Sequence, residues 1–190
     1  MGLFYKVSPK TLLEARNKIF IETAIPALQK NGFEKTPFTS SWFGRNNLKD
    51  FSYVLCRVSD HSRMEFIETH ISRGDRWIQI FLNVFELQPT VSSVQQLQGM
   101  DGFQFHLPPN NITRMRLRID DFKGMPLFRT KEHKLKGYCT KRGFNKRIAQ
   151  LNKLIADDLN NIDHFVSRWH ELHKPLLTDW NGNGIGKKQI

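Results

Sequence analysis

The chain has 190 residues, of which 39% are hydrophobic and 12% aromatic, and its formal net charge is +11. Its fifteen phenylalanines argue against a disordered chain, and this length is enough to bury a core. No apolar run is long enough to span a membrane, so no membrane partner is expected. Two cysteines, Cys56 and Cys139, are too few for a disulfide framework, which favours a cytoplasmic location.

The first predicted element is a helix over 8–32. Ser8-Pro9 is typical of an N-cap followed by the first helical position, and apolar residues recur after it at helical spacing. Pro26 lacks a backbone donor, so we expect it to kink this helix or to split it in two. Asn31-Gly32 predicts the C-terminal stop, with Phe33 folding back against the helix end.

The middle of the chain, 38–119, has mainly strand character. Alternating or continuous apolar residues, bounded by turn residues, predict strands over 38–45, 51–58, 64–71, 77–87 and 112–119. The short connections between the first four strands favour an antiparallel meander, because parallel strands need long crossovers.

A second helical element follows this sheet. From Asn145, apolar residues run at spacings of three and four as far as Leu172, which predicts one long amphipathic helix, or two in series, over 145–174. The Gly-rich, basic residues 181–190 are expected to form a flexible tail. The expected fold is a single α+β domain over 1–180. An N-terminal helix packs on an antiparallel sheet of about five strands, and a long helical element ends the domain.

The positive charge is concentrated in one segment. Between Pro108 and Gln150, twelve Lys or Arg residues stand against three acids, a net charge of +9 out of the chain's +11. Arg114, Arg116 and Arg118 alternate on the last predicted strand and would lie about 6.6 Å apart on one face, close to the spacing of phosphates along nucleic acid. The sequence therefore predicts a nucleic-acid-binding surface made of Arg114, Arg116, Arg118, Arg129, Lys131, Lys134, Lys136, Tyr138, Lys141, Arg142, Lys146 and Arg147.

Other interpretations of this segment stay open. A solvated sheet face, or one paired with Glu65 and Glu68 of a neighbouring strand, has the same pattern. A covering helix would turn the arginines into an internal ion-pair network. A module that binds an acidic protein would use arginine and aromatic residues in the same way, since both anchor interfaces.

No catalytic, metal or cofactor motif is complete. His170 and His173 lack the H-E-x-x-H spacing of zinc proteases. Asp179–Gly184 matches the start of a calcium loop, but Ile190 stands where a glutamate would close the site. Asp157-Asp158 lacks the lysine that commonly accompanies nuclease carboxylates. We expect no catalytic residue, metal or cofactor and favour a non-enzymatic protein; the remaining hypothesis is an enzyme whose site assembles from distant residues.

The stretch Ile25–Lys35, IPALQKNGFEK, ends a helix with Gly-Phe between basic residues, and strands follow as far as Leu87. In this pattern residues 15–87 resemble an uncharacterised bacterial family, domain of unknown function 4304. Trp42–Arg45 approximates the aromatic, arginine-containing strand that comes next in that family. The resemblance implies an α+β fold and no catalytic residues. Because some members are suspected immunity proteins, the alternative to nucleic-acid binding is a defence module that binds an acidic protein.

Overall fold

The chain folds as a seven-stranded sheet with helices on one face. The computed structural model describes residues 5–60, 62–107, 110–121, 131–137 and 140–186. The helices are α1 (Pro9–Ile19), α2 (Ile25–Lys30), α3 (Lys141–Asn160) and α4 (Ile162–Leu172). The strands are β1 (Glu34–Lys35), β2 (Phe43–Arg45), β3 (Phe51–Ser59), β4 (Arg63–Ile71), β5 (Gln79–Leu87), β6 (Met115–Arg116) and β7 (Leu176–Thr178). The expected α+β fold is confirmed.

The N-terminal helical element is split at the proline, as predicted. A π-helical turn, Phe20–Ala24, separates α1 from α2, and the Ile25 N–H donates to the carbonyl of Phe20. This wider turn accommodates Pro26, which has no N–H to donate and whose ring would clash in a regular helix.

The end of this element also follows the prediction. Gly32 has a φ of +81°, a conformation that glycine adopts without steric cost. The next amide, that of Phe33, donates to the carbonyl of Leu28 at 3.0 Å, which closes the helix end. The Phe33 side chain is then buried in the core, so the cap also directs the chain into the sheet.

Three long strands, β3, β4 and β5, form the centre of the sheet and confirm the strands predicted over 51–58, 64–71 and 77–87. The short strands β1 and β2 both pair with β3, and β6 and β7 both pair with β5. All of these pairs are antiparallel except β5 with β7. The prediction over 38–45 was too long, because only Phe43–Arg45 is strand.

The strand predicted over 112–119 is wrong. Only Met115–Arg116 pairs with β5, and Asn110–Thr113 before it is a 3₁₀ helix. After the strand, the Asp120 carboxylate accepts the Arg116 N–H at 2.7 Å, and Arg118 has a φ of +64°. A side-chain acceptor and a left-handed residue close a turn here, so the alternating pattern of the sequence does not continue as a strand.

The two faces of the sheet carry separate cores. On one face, aliphatic residues of the central strands pack against α1 to α4, with Trp169 of α4 fully buried among them. On the other face, the segment 88–107 covers part of the sheet, and Phe38, Phe66, Phe85 and Phe105 form an aromatic cluster there. The rest of this second face carries polar and charged side chains, including Ser52, Glu68 and His70.

The C-terminal helical element is two helices in series, one of the two predicted forms. It begins at Lys141 rather than at Asn145, because Thr140 is the N-cap and its hydroxyl accepts from the Gly143 N–H at 2.9 Å. No helix in the described ranges is long and apolar enough to cross a membrane.

The predicted tail, 181–190, is only partly within the described residues. Asp179 accepts hydrogen bonds from the amides of Asn181 and Asn183, and Gly184 pairs with Thr178. Residues 181–186 therefore form a turn folded back on β7 rather than a free tail, and 187–190 lie outside the described residues.

Candidate nucleic-acid interface

The three arginines predicted to share a strand face have different partners in the structure. β6 contains only Arg116 of the three, and the turn after it removes Arg118 from the sheet. Arg118 meets a buried carboxylate and Arg114 a half-buried one, whereas Arg116 has no ion pair within the described part of the chain. The expectation of three open cations in a row is therefore wrong for two of them.

Arg118 belongs to an internal network with α3. Its Nε and Nη2 donate to the two oxygens of Asp158 at 2.5 and 2.6 Å, and His133 Nε2 lies 2.7 Å from Asp158 Oδ2. Burial would raise the pKa of Asp158, but the hydrogen bonds from Arg118 and His133 outweigh burial and lower it. The same hydrogen bond raises the pKa of Arg118. For Arg118 this is the internal ion-pair network that the sequence left open as an alternative, with α3 as the covering helix.

Arg114 lies on the sheet face opposite the helices. Its Nη2 is 3.0 Å from Glu68 Oε2, and its guanidinium carbon lies 3.6 Å from the centre of the Phe81 ring. Burial lowers the pKa of Arg114, and the charge of Glu68 opposes that effect. Its charge is neutralised by a neighbouring strand, which is the alternative that the sequence left open through Glu68.

Arg116 and Lys134 meet on Trp77, a half-buried residue between β4 and β5. Lys134 Nζ is 3.8 Å and the guanidinium carbon of Arg116 is 5.6 Å from the centre of the ring, distances typical of cation–π contacts. The indole N–H of Trp77 donates to Glu132 Oε2 at 2.9 Å, which fixes the ring. Two cations from separate segments are thus held side by side.

Most of the other predicted cations are exposed at the same end of the molecule. Arg147 donates to the carbonyl of Lys134 at 3.1 and 3.3 Å, which places the first turns of α3 beside the segment 131–137. None of the following has an ion pair within the described residues: Lys131, Lys134, Lys136, Lys141, Arg142 and Lys146. The predicted site residues Arg129 and Tyr138 lie outside the described residues.

The structure adds a residue that the charge count along the chain missed. Segment 131–137 pairs with the connection before β5, where Leu135 N–H donates to the carbonyl of Arg76 and Ile78 N–H to that of His133, both at 2.8 Å. Arg76 is exposed beside these cations. We call the combined cations the basic surface: Arg76, Arg116, Lys131, Lys134, Lys136, Lys141, Arg142 and Lys146. No local sequence signal links Arg76 to the segment, because the pairing is non-local.

A polar chain crosses the sheet face beside this surface. Ser52 and His70 are directly opposite each other on β3 and β4, with Ser52 Oγ 3.3 Å from His70 Nδ1 and His70 Nε2 2.7 Å from Glu68 Oε1. Burial would raise the pKa of Glu68, but His106, His70 and Arg114 outweigh it and hold the pKa well below its usual range. The carboxylate is therefore ionised, with His70 within hydrogen-bond distance and His106 Nδ1 3.5 Å from its other oxygen.

The hydroxyl, imidazole and carboxylate of this chain are in the order of a catalytic triad. Ser52, however, is only 7% exposed, and Asn46 already donates to its Oγ at 3.2 Å. A nucleophile needs access to the substrate, and the buried Ser52 hydroxyl lacks it. Nowhere in the described residues are three or more His, Cys, Asp or Glu side chains grouped to hold a metal ion.

Comparison with known proteins gives no information on function, so the proposals below are argued from the structure alone. The chain matches no protein-family model, no curated protein and no solved structure.

Proposed function

We propose that the protein binds nucleic acid, without catalysing a reaction, through contacts between its basic surface and the phosphates. The observation that carries the proposal is the contrast between two sets of cations. Arg114 and Arg118 are neutralised by Glu68 and Asp158, whereas the cations of the basic surface have no ion pair among the described residues. Charges without a partner attract a polyanion and release its counterions on binding.

The start of α3 supports an anionic ligand. Lys141 and Arg142 lie in its first turn, which contains no acid. A helix N-terminus carries positive partial charge, so cations there are unfavourable for the isolated protein. A bound phosphate would remove this conflict, because the helix dipole and both side chains would then interact with negative charge.

The contacts on Trp77 reduce the cost of binding. Arg and Lys side chains lose conformational freedom when they are immobilised at an interface. Arg116 and Lys134 are already confined by the indole ring and by the pairing of Trp77 with Lys134. They therefore present two positive charges at defined positions before any ligand arrives.

The alternative is an interaction module of a defence system that binds an acidic protein, as the resemblance to domain of unknown function 4304 suggests. The observation in its favour is at the opposite edge of the sheet, where Trp42 and Phe43 are 46% and 37% exposed next to β3. Exposed aromatic residues are enriched at protein interfaces. Phe43 lies on β2 and Trp42 immediately precedes it, away from the basic surface, so the two proposals use different surfaces.

A pair of matched variants tests the proposal. Lys141→Gln/Lys146→Gln removes two cations of the basic surface from α3, and Lys30→Gln/Lys153→Gln removes two exposed cations elsewhere on the helices. Binding to a labelled oligonucleotide is measured by fluorescence polarisation over a range of salt concentrations. The first variant should lower the salt dependence, d log K/d log[salt], by about 2, and the control should leave it unchanged. Equal effects of both variants would contradict the basic surface as the binding site.

A further inference from the structure

The edge of the sheet formed by β2 is open on its outer side. β1 and β2 pair with β3 one after the other, on the side of β3 that β4 leaves free. Within the described residues, β2 pairs with no strand other than β3. The Asn46 N–H donates to the carbonyl of Asp50 at 2.8 Å, and hydrogen-bonded pairs alternate along an antiparallel ladder. The backbone N–H and C=O groups of Phe43 and Arg45 therefore point away from β3.

These backbone groups have no other use in the described part of the chain. No backbone–backbone hydrogen bond there involves Phe43 or Arg45 outside the pairing with β3. The two residues are also exposed, so an added strand has access to them. An unpaired strand edge is a template for another strand, because the N–H and C=O groups of that strand complete the ladder.

One face of this edge carries three side chains in a regular row. Lys35, Phe43 and Arg45 are paired in register with alternate residues of β3. Residues two apart along a strand share a face and are separated by about 6.6 Å. The row along the edge is therefore cation, aromatic ring, cation.

Neither cation of this row has an anion as partner. Lys35 Nζ lies 5.3 Å from the centre of the Phe43 ring, and the guanidinium carbon of Arg45 lies 5.8 Å from the centre of the Phe51 ring. Both cations are exposed, and neither forms an ion pair with any described residue. The aromatic rings thus hold two positive charges at the edge that remain available to a ligand.

The acids that are nearest along the chain are engaged with other groups. Glu34 accepts from the side-chain amide of Gln95 at 2.5 Å. Asp50 accepts from the Ser72 hydroxyl at 2.9 Å and from the Arg73 N–H at 2.7 Å. A second copy of this chain carries the same cations and a net charge of +11, so repulsion opposes pairing between two copies. The charge of the edge selects an acidic partner.

We propose that this edge binds an extended acidic segment of a partner protein, which adds to the sheet as a strand beside β2. Alternate side chains of an added strand lie next to Lys35, Phe43 and Arg45. The segment that complements this row has an apolar residue at its centre and an acidic residue two positions away on each side. The inference does not depend on nucleic-acid binding. It rests on the alternative function above, and it adds where and how the acidic partner binds.

Three labelled peptides, titrated by fluorescence polarisation, test this proposal. The first has the core Glu-Thr-Val-Thr-Glu, and the second has lysine in place of both glutamates. The third is the first with an N-methylated valine, which removes the donor opposite Phe43 and keeps the charge. The wild-type protein should bind the first peptide about tenfold more tightly than either of the others, because they lose the charge pairs or the ladder hydrogen bond.

Two charge-reversal variants locate the site. Lys35→Glu/Arg45→Glu should bind the lysine peptide more tightly than the glutamate peptide. Lys141→Glu/Lys146→Glu, which reverses two cations of the basic surface, should retain the wild-type preference. Thermal unfolding followed by circular dichroism checks that each variant folds. If the edge variant does not fold, Lys35→Gln/Arg45→Gln replaces it and should lose the preference for the glutamate peptide.

The outcomes separate this inference from the functions proposed above. If the wild-type protein has no preference for the glutamate peptide, the edge proposal is wrong and nucleic-acid binding is unaffected. If only the variant of the basic surface loses the preference, acidic partners bind that surface and the edge proposal is wrong. If N-methylation leaves the affinity unchanged, the edge attracts anions without pairing with a strand, which also overturns the proposal.

Discussion

Arg118 and Asp158 form a two-point ion pair between the turn after β6 and the buried side of α3, at 2.5 and 2.6 Å. Asp158 is 5% exposed, and His133 lies against the same carboxylate. The pair joins the basic segment to the helical layer, so one arginine that the sequence assigns to ligand binding instead connects two parts of the fold. Substitutions at these positions consequently test stability rather than binding.

Asp158→Asn should destabilise the protein by about 2–3 kcal/mol, because it leaves Arg118 without its anion. Arg118 keeps some contact with solvent, which places the cost below that of a fully buried pair. Urea unfolding followed by circular dichroism measures the difference. The control is Asp157→Asn on the exposed side of α3, for which a change within about 0.5 kcal/mol is expected. If Asp158→Asn also changed the free energy of unfolding by no more than about 0.5 kcal/mol, the ion-pair network would be contradicted.

Arg116→Gln and Arg118→Gln should have opposite effects. Arg116 contacts Trp77 and has no ion pair in the described residues, so its substitution should weaken nucleic-acid binding and leave the free energy of unfolding within about 0.5 kcal/mol. Arg118→Gln should lower that free energy by more than about 1 kcal/mol, since Asp158 stays buried. Binding titrations and urea unfolding of both variants check this. Similar profiles for the two variants would mean that the arginines have one shared role.

Stability should fall as the pH is lowered below about 4, where carboxyl groups of the unfolded chain begin to take up protons. The pKa of Glu68 and that of Asp158 are lower in the folded protein, so their contribution is present above this pH and is lost as the pH falls towards the folded pKa values. Glu68→Gln should reduce the slope of unfolding free energy against pH between about pH 4 and 2, by up to about 1.4 kcal/mol per pH unit.

Urea unfolding at several acid pH values measures that slope. Glu22→Gln is the control, because Glu22 is an exposed residue of the π-helical turn whose salt bridge is with Lys18 one turn earlier. An equal change of slope in the two variants would show that Glu68 is not specifically stabilised as a carboxylate in the folded protein.

Gly102→Ala should destabilise the packing of the segment that covers the aromatic cluster. A Cβ at Gly102 would lie 2.2 Å from Cδ2 of Phe38, and the ring is itself confined between Phe66 and Phe105. Overpacking of this kind costs about 1–3 kcal/mol. Gly74→Ala is the control, since a Cβ there meets nothing within 4 Å. Thermal unfolding of both variants measures the difference, and a neutral Gly102→Ala would contradict the packing described here.

The elements that could be predicted from the sequence are those with local causes. Pro26 and Gly32 determine the split and the end of the first helical element through backbone constraints of their own. Each of the three central strands is nine residues long, which is enough for the apolar periodicity of the sequence to identify it as a strand. The start of α3 was misplaced because two cap residues, Thr140 and Asn145, were available and only the structure shows which one is used.

The candidate site could be predicted only in part, because its residues are assembled by non-local pairing. The concentration of positive charge along the sequence identified the basic segment. The alternation of arginines, however, could not show that Arg118 pairs with Asp158, forty positions later. Arg76 and Trp77 lie outside the basic segment of the sequence and reach it only through the pairing with Lys134.

The most direct test of the central claim, that the basic surface binds nucleic-acid phosphates, is a fluorescence-polarisation titration of the wild-type protein. Labelled single-stranded and duplex oligonucleotides are titrated at about 50 mM and about 200 mM salt. Binding is expected in the micromolar range or tighter at the lower salt, weakened by about a thousandfold at the higher salt if six or more phosphates are contacted. No binding at low salt, or binding that salt leaves unchanged, would contradict it and direct the search to an acidic protein partner.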